Sequence, residues 1–196
     1  NKIVSWITGD KDSIRINEKL SEMGYVNFDA NMDDDMSIKV KGLLHDKEYV
    51  LSETKPADGY TTATDISFML KLKAEDGKYI TQVFVKNGDE FIEANPNKVV
   101  MYDDTTKIEF SKSDITGEKE VPGCELEVTD KETGEVTDHW ISTKYKHIVE
   151  GKYVTGKTYV FTEKRPADGF VTAVSVEFTV SDTGEIQKVS MKDDTT

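Results

Sequence analysis

The chain has 196 residues, of which 38 are acidic and 25 are basic, giving a formal net charge of −13. This balance argues against nucleic acid and anionic membranes as partners, because both are bound by clustered lysine and arginine. No apolar run approaches the roughly 18 residues that a membrane helix needs, so we expect no membrane insertion. The length suits two domains of roughly 100 residues. Neither a signal peptide nor a sorting signal is recognisable, which is the pattern of an excised fragment.

The most informative feature of the sequence is an internal repeat. Residues 49–70 read YVLSETKPADGYTTATDISFML and residues 159–180 read YVFTEKRPADGFVTAVSVEFTV, and ten of these 22 positions are identical. Each copy is followed by a strand-like segment that ends in Asp-Asp-Thr-Thr, at 99–106 and at 189–196. A repeat of this length predicts two copies of one domain in tandem. We place the domains at 1–104 and 105–196. The link between them is very short, which predicts a semi-rigid arrangement of the two domains.

The first copy contains two features that the second lacks. Residues 16–23 (INEKLSEM) could form a short helix. Glu53 and Asp103 are 50 positions apart, whereas the equivalent Glu163 and Asp193 are 30 apart. The additional residues fall within 78–94, where two β-rich runs flank Asn87-Gly88, a strong hairpin signal. We therefore predict an extra hairpin in the first domain.

The sequence of the second copy predicts β-strands over almost its whole length. Apolar and polar residues alternate with a period of two, which is typical of strands with one buried face. Glycine and aspartate clusters between these runs supply turns. Short strands at this spacing predict an all-β, immunoglobulin-like antiparallel sandwich. The predicted strands are 108–112, 125–128, 138–143, 159–163, 174–180 and 186–193.

The residue types that usually bind metals or form disulfides are sparse. Cys124 is the only cysteine, so no internal disulfide can form, and its phase beside Leu126 and Val128 points it inward as a buried small residue. His45, His139 and His147 have no ligand spacing. The acidic run 33–35 lacks the glycine and terminal glutamate of a calcium loop, so it reads as a solvated turn. We expect no metal and no cofactor.

Three ionisable residues of the second copy share a phase with core residues. Lys112 continues the face of Ile108 and Phe110, Glu163 the face of Tyr159 and Phe161, and Asp193 the face of Val189 and Met191. Burying one lone charge costs several kcal/mol, so such residues are expected to meet one another. A lysine, a glutamate and an aspartate that meet in an apolar core either form an ion cluster or react.

These residues resemble a known family. A strand ending in lysine, then Tyr-x-x-x-Glu-x-x-Pro-x-Asp-Gly-aromatic, then a last strand ending in Asp193, is similar to the Cna B-type domain. These are the SpaA-like, prealbumin-like sandwich repeats of Gram-positive surface adhesins and pilins. The resemblance covers the second copy and most of the first, and it implies two tandem prealbumin-like sandwiches.

The resemblance also implies a chemistry for Lys112, Asp193 and Glu163. In the family, similar positions form a self-catalysed isopeptide bond between the lysine and an aspartate or asparagine, assisted by the glutamate. Apolar surroundings favour the neutral, nucleophilic amine and a protonated carboxyl group, so the physics supports this assignment. The alternatives are an unreacted buried ion cluster and a solvated lysine at the strand edge.

The first copy departs from the pattern at the lysine. Glu53 and Asp103 hold the matching acidic positions, but alignment places Val4 or Ile7 opposite Lys112. We favour no isopeptide bond in this copy. Lys2 could supply the amine only if the register slips, and Lys11 or Lys19 are further alternatives. Without a lysine, Glu53 and Asp103 would form a buried acid pair.

The resulting expectation is a structural stalk or spacer in a Gram-positive adhesin or pilin, not a turnover enzyme. Its location would be the cell surface, with anchoring to the cell wall. Its partners would be neighbouring repeats, and a host protein or glycan would be bound by other domains. The alternative is a ligand-binding adhesin module whose contact surface is the 78–94 hairpin, with Tyr79, Phe84 and Phe91 as candidate contacts.

Overall fold

The fold is all-β, in agreement with the class predicted from the sequence. The computed structural model describes residues 1–193, so the last three residues of the second Asp-Asp-Thr-Thr repeat, and with them the end of the predicted second domain, lie outside the described residues. Residues 1–193 contain strands and turns and no helix. Nothing in that range therefore has the helical length and apolarity needed to cross a bilayer.

The chain divides into two compact units that do not follow the sequence repeat. The first unit comprises Asn1–Leu51 and Asp65–Val100. The second comprises Ser52–Thr64 and the chain from Met101 onward. A segment of the first repeat, including its Pro-Ala-Asp-Gly motif, is thus part of the second unit.

The first unit consists of three antiparallel sheets. Strands β5 to β8 form a four-stranded meander, and β1–β2 and β3–β4 are separate pairs. A small core is built on Leu20, Tyr25 and Tyr49. The strands are β1 (Val4–Ile7), β2 (Asp10–Ile16), β3 (Asp29–Met32), β4 (Ile38–Lys41), β5 (Glu48–Leu51), β6 (Ile66–Glu75), β7 (Lys78–Asn87) and β8 (Glu90–Glu93).

Two tight turns define the meander. Asp76 and Gly77 join β6 to β7, and both have positive φ (49° and 77°), as a two-residue hairpin turn of this hand requires. Gly88 and Asp89 join β7 to β8, so the turn lies one residue later than the Asn87-Gly88 signal suggested. The sequence contains no convincing helix, and its one candidate, at 16–23, is not helical in the structure. Residues 18–24 form consecutive turns instead.

The second unit is a sandwich of two sheets. One has the order β11-β10-β13-β14 and the other the order β12-β9-β15. All six strands predicted from alternation are present, and β12 is additional. The strands are β9 (Lys107–Asp114), β10 (Glu125–Asp130), β11 (Val136–Ile141), β12 (His147–Glu150), β13 (Thr158–Arg165), β14 (Val176–Thr179) and β15 (Ile186–Asp193).

An aromatic core holds the two sheets of the second unit together. Phe110 on β9 is buried, and its ring lies 5.1 Å from the ring of Phe161 and 5.4 Å from that of Trp140. Each fully buried phenylalanine contributes about 1.5–3 kcal/mol through removal of apolar surface from water. The packed interior excludes water from the region where the core-facing side chains of β9, β13 and β15 meet.

The first and last strands of the second unit are parallel neighbours. The register of β9 against β15 runs from Lys107 opposite Ile186 to Asp114 opposite Asp193. This pair differs from the antiparallel pairing expected of the whole sandwich. The strands between them cross to the other sheet and return, so the chain passes in the same direction through both.

Candidate crosslinking site

Lys112 is a buried lysine on the first strand of the sandwich. Residues 108, 110 and 112 share the inner face of β9, and Lys112 is 2% exposed. Isolated burial of an ammonium group is unfavourable by several kcal/mol, so its position requires partners inside the core.

Asp193 supplies the first partner. It is the last residue of β15 and is 0% exposed. Met191 lies opposite Lys112 in the parallel register, so Asp193 is two residues further along on the same inner face. The ammonium of Lys112 donates a hydrogen bond to Oδ1 of Asp193. The end of the last strand thus meets the end of the first.

Glu163 supplies the second partner, from the opposite sheet. It lies on β13 opposite Leu126 of β10 and is 3% exposed. Its Oε1 atom lies 3.2 Å from Nζ of Lys112, in a geometry that makes no hydrogen bond, and has no other partner among residues 1–193. Its Oε2 atom accepts a hydrogen bond of 2.6 Å from the amide of Ala173. One carboxylate oxygen is therefore fixed and the other faces the lysine.

Glu120 fixes the backbone that carries Lys112. Its Oε2 atom accepts a hydrogen bond of 2.9 Å from the amide of Lys112, and its Oε1 atom accepts one of 2.6 Å from the hydroxyl of Ser111. The carbonyl of Lys112 accepts a bond of 2.7 Å from the amide of Val121. The sequence did not point to Glu120, because it lies outside any alternating strand, in an isolated β-bridge with Ser113.

A small cavity adjoins the lysine. Its volume is about 10 Å³, the room that one water molecule needs. Glu120, Ser142 and His147 contribute polar groups to its lining, and Phe110 and Phe161 contribute apolar walls. The cavity therefore has both polar and apolar walls, with space beside Lys112 for a single water-sized molecule.

Cys124 also lies against the site, as a buried thiol. Its Sγ atom is 3.7 Å from Oδ2 of Asp193, and the residue is 0% exposed. Desolvation raises the pKa of the Cys124 thiol to about 11, with a further contribution from nearby Glu163. The expectation of a buried small residue is confirmed.

We expect Cys124 to resist alkylation in the folded protein. A pKa of about 11 instead of 9.0 lowers the thiolate fraction at pH 8 about a hundredfold, and burial blocks access as well. Iodoacetamide treatment followed by mass spectrometry checks this. The same reagent in guanidinium chloride is the control and labels the thiol fully. Rapid labelling of the native chain would contradict the burial.

Cys124, Glu163 and Asp193 also place three potential metal-ligand atoms within 4.8 Å of one another. The ammonium of Lys112 lies beside both carboxylates of this cluster. A cation of the protein itself thus already pairs with the two carboxylates that a metal would use. The arrangement suits a reaction between amine and carboxyl better than metal binding.

The first repeat does not reproduce this burial. Glu53 accepts a hydrogen bond of 2.8 Å from the amide of Ala63, which matches the bond between Glu163 and Ala173. However, Glu53 is only half-buried and Asp103 is exposed. The buried acid pair expected in the absence of a lysine is therefore wrong. Lys2 is exposed as well, so it lacks the apolar surroundings that the chemistry needs.

The aromatic side chains of the 78–94 hairpin do not form one exposed surface. Tyr79 is 77% exposed, whereas Phe84 and Phe91 are half-buried. The ammonium groups of Lys71 and Lys86 lie over these two phenylalanine rings, at 5.0 and 5.6 Å from the centroids. This arrangement does not favour the hairpin as a ligand surface over a solvated edge.

Three solved structures are among those to which this chain is similar. The shaft pilin SpaA from Lactobacillus rhamnosus GG is 16% identical over 85% of this chain and 69% of its own, with a TM-score of 0.38. The Bacillus anthracis TIE protein is 19% identical over 85% of this chain, which spans 28% of that protein's length, with a TM-score of 0.43. A group B streptococcus pilus 2b backbone protein is 11% identical over 59% of this chain and 49% of its own, with a TM-score of 0.38.

A comparison with curated proteins found no match. The family described as SpaA, prealbumin-like fold domain, matches residues 106–195. This range contains Lys112, Glu163 and Asp193 and corresponds to the second repeat. The resemblance noted from the sequence motifs is confirmed for this part of the chain, which is similar to the SpaA prealbumin-like fold domains.

Proposed function

We propose that this chain is a pair of structural stalk or spacer repeats from a Gram-positive adhesin or pilin. In this proposal an intramolecular isopeptide bond between Lys112 and Asp193, formed with the help of Glu163, stabilises the second domain. The observation that carries the proposal is the buried contact between the Lys112 ammonium and the Asp193 carboxyl group beside Glu163.

The reaction is a condensation inside the folded domain. Apolar surroundings favour neutral groups, because charge is poorly solvated there. The neutral amine of Lys112 attacks Cγ of Asp193, and a carbon–nitrogen bond forms. Glu163 relays a proton from the amine to the departing oxygen, the carbon–oxygen bond breaks, and one water leaves. The cavity of about 10 Å³ beside Lys112 offers that water a place.

Folding itself would be the main source of rate enhancement. Holding amine and carboxyl in contact converts a bimolecular condensation into a unimolecular step, which contributes roughly 7–11 kcal/mol toward the barrier. The hydrogen bonds from the Lys112 amide to Glu120 and from the Ala173 amide to Glu163 keep the reacting groups in place. The reaction happens once and consumes its own residues, so the chain would not be a turnover enzyme.

A stalk role follows from where the bond would lie. It would join the first strand of the sandwich to the last, across 81 positions of sequence. The similarity of residues 106–195 to the SpaA prealbumin-like fold domain supports this role. The cell surface, with anchoring to the cell wall, would be the location. The partners would be neighbouring repeats, and host ligands would be bound by other domains.

We also propose the tandem-domain boundary near residues 104–105 that the sequence repeat indicates. The first domain would carry the 78–94 hairpin as an edge extension, and the second would carry the crosslink. In this arrangement the first domain forms no isopeptide bond, because Asp103 and Lys2 are exposed.

The test of the proposed bond is the intact mass of the purified chain. We expect the wild-type mass to be one water below the calculated value, and Lys112→Ala and Glu163→Ala to have the calculated mass. Lys188→Ala, on the exposed face of the same last strand, is the matched control and should keep the deficit. Peptide mapping should find residues 112 and 193 in one branched peptide.

Two outcomes would change the proposal. An unmodified wild-type mass would leave a buried ion cluster in a plain sandwich. A deficit of two waters would mean that the first domain also reacts, and mapping would then identify its lysine among Lys2, Lys11 and Lys19.

A further inference from the structure

The Pro-Ala-Asp-Gly motif of the first repeat lies within the second unit. We call residues 56–62 the strap. By sequence they belong to the first repeat, since the same motif recurs at 166–170. By contacts they belong with the sandwich that begins at Met101. The boundary of the compact unit and that of the sequence repeat therefore differ by this segment.

Thr106 anchors the strap at the start of the sandwich. Its amide donates a hydrogen bond of 2.9 Å to the carbonyl of Gly59. Its hydroxyl lies within hydrogen-bonding distance of the carbonyls of Gly59 (3.2 Å) and Tyr153 (2.7 Å). Thr106 is 1% exposed, so these bonds are shielded from water and are costly to leave unmade. One threonine thus joins the strap to the loop that follows β12.

Further bonds hold the C-terminal part of the strap. The amide of Thr61 donates to the carbonyl of Asp104 at 2.9 Å. The amide of Thr62 donates to Oδ1 of Asp182 at 2.8 Å, and the hydroxyl of Thr155 donates to the carbonyl of Tyr60 at 2.9 Å. Asp182 and Thr155 lie in separate loops, so the strap is bound from several sides.

Gly59 is required where the strap approaches most closely. Its φ of +85° is one that side chains with a Cβ rarely adopt. A Cβ at this position would lie 2.7 Å from the carbonyl carbon of Gly151 and closer still to its oxygen. Two backbones therefore touch at a pair of glycines, which is a specific fit of shape.

We propose that the loop face formed by Thr106, Gly151, Tyr153, Thr155 and Asp182 is a docking surface for the Pro-Ala-Asp-Gly-aromatic segment of a preceding repeat. The backbone carbonyl groups of the segment accept hydrogen bonds from this surface. Its glycine has no Cβ and so allows the two backbones to approach closely. Each repeat would then complete the one that follows it. The inference rests on the proposed function only in taking the chain as part of a repeat array, and it requires no isopeptide bond.

The experiment measures amide hydrogen exchange in the full chain by NMR. The reporters are the amides of Thr61, Thr62 and Thr106. We expect Gly59→Ala and Thr106→Val to speed their exchange at least tenfold, because the first introduces a clash and the second removes the bridging hydroxyl. Asp182→Ala should act chiefly on the amide of Thr62, whose acceptor it removes.

Matched controls separate the strap from general strain. Gly77 also has positive φ (77°), but a Cβ added there would meet nothing within 4 Å, so Gly77→Ala should leave the three reporters unchanged. Thr162→Val removes a hydroxyl pair with Ser175 on the exposed side of the same sandwich and should also leave them unchanged. If Gly59→Ala does not fold, Thr106→Val carries the test alone.

Exchange rates within twofold of wild type in both Gly59→Ala and Thr106→Val would overturn the docking surface. The intact mass of each variant is measured in parallel. In Lys112→Ala no crosslink can form. Slow amide exchange of the strap in this variant would show that docking does not depend on the isopeptide bond. A wild-type chain with normal exchange but no mass deficit would count against the isopeptide bond and leave the docking surface standing.

Discussion

Pulled from its two ends in single-molecule force spectroscopy, the wild-type second domain should not release the chain between Lys112 and Asp193. The proposed bond would bypass 81 positions of sequence, which amount to about 280 Å of fully extended chain. Lys112→Ala removes the amine and should add this extension to each pulling trace. The effect is large because the lysine lies on the first strand and the aspartate on the last.

The matched control for the pulling experiment is Lys188→Ala. Lys188 lies on β15 with its side chain exposed, so its loss should leave the wild-type extension unchanged. If the wild type and Lys112→Ala gain the same length on unfolding, no covalent bypass exists.

The second large effect concerns equilibrium stability, and Glu163→Gln is the variant that isolates it. It preserves the shape of the side chain and leaves Lys112 and Asp193 together, but it removes the proton relay. Without the bond, the unfolded chain regains the freedom of an 81-position loop. We expect the free energy of unfolding of the second domain to fall by about 4–5 kcal/mol. Lys112→Ala should lose more, because it also leaves two buried acids without their cation.

Denaturant unfolding followed by the fluorescence of Trp140 measures this loss. Trp140 packs in the core of the second unit, and a Trp6→Phe background removes the other tryptophan. Glu177→Gln is the control, because Glu177 is an exposed strand residue paired with Lys131, and such surface pairs contribute little. If Glu163→Gln unfolds at the wild-type denaturant concentration, the glutamate has no part in a stabilising bond.

The inner face of the sandwich could be predicted from the sequence, because strand alternation is a strict local pattern. The phases of Ile108 and Phe110, and of Val189 and Met191, placed Lys112 and Asp193 in the core, where the structure has them. Alternation says nothing about which strands are neighbours. The parallel pairing of β9 and β15 depends on long-range packing, and no residue in either strand signals it.

Groups that act through the backbone could not be predicted in the same way. Glu120 lies outside the predicted strands, and only the folded chain brings its carboxylate to the amide of Lys112. The burial of Asp103 was wrongly expected because the repeat suggested a β15-like strand there. In the structure, residues 101–104 form no strand and Asp103 faces solvent.

The strap also sets an order of events during synthesis. The amide of Thr62 can form its hydrogen bond to Asp182 only after that residue, 120 positions later in the chain, has been synthesised. At the usual ribosomal rate of about 5–20 residues per second, that interval lasts roughly 6–24 s. For this time the segment around Gly59 has emerged from the ribosome but has no complete surface to dock on. In a growing array, the Pro-Ala-Asp-Gly segment of each repeat would thus stay undocked until the following repeat has been translated.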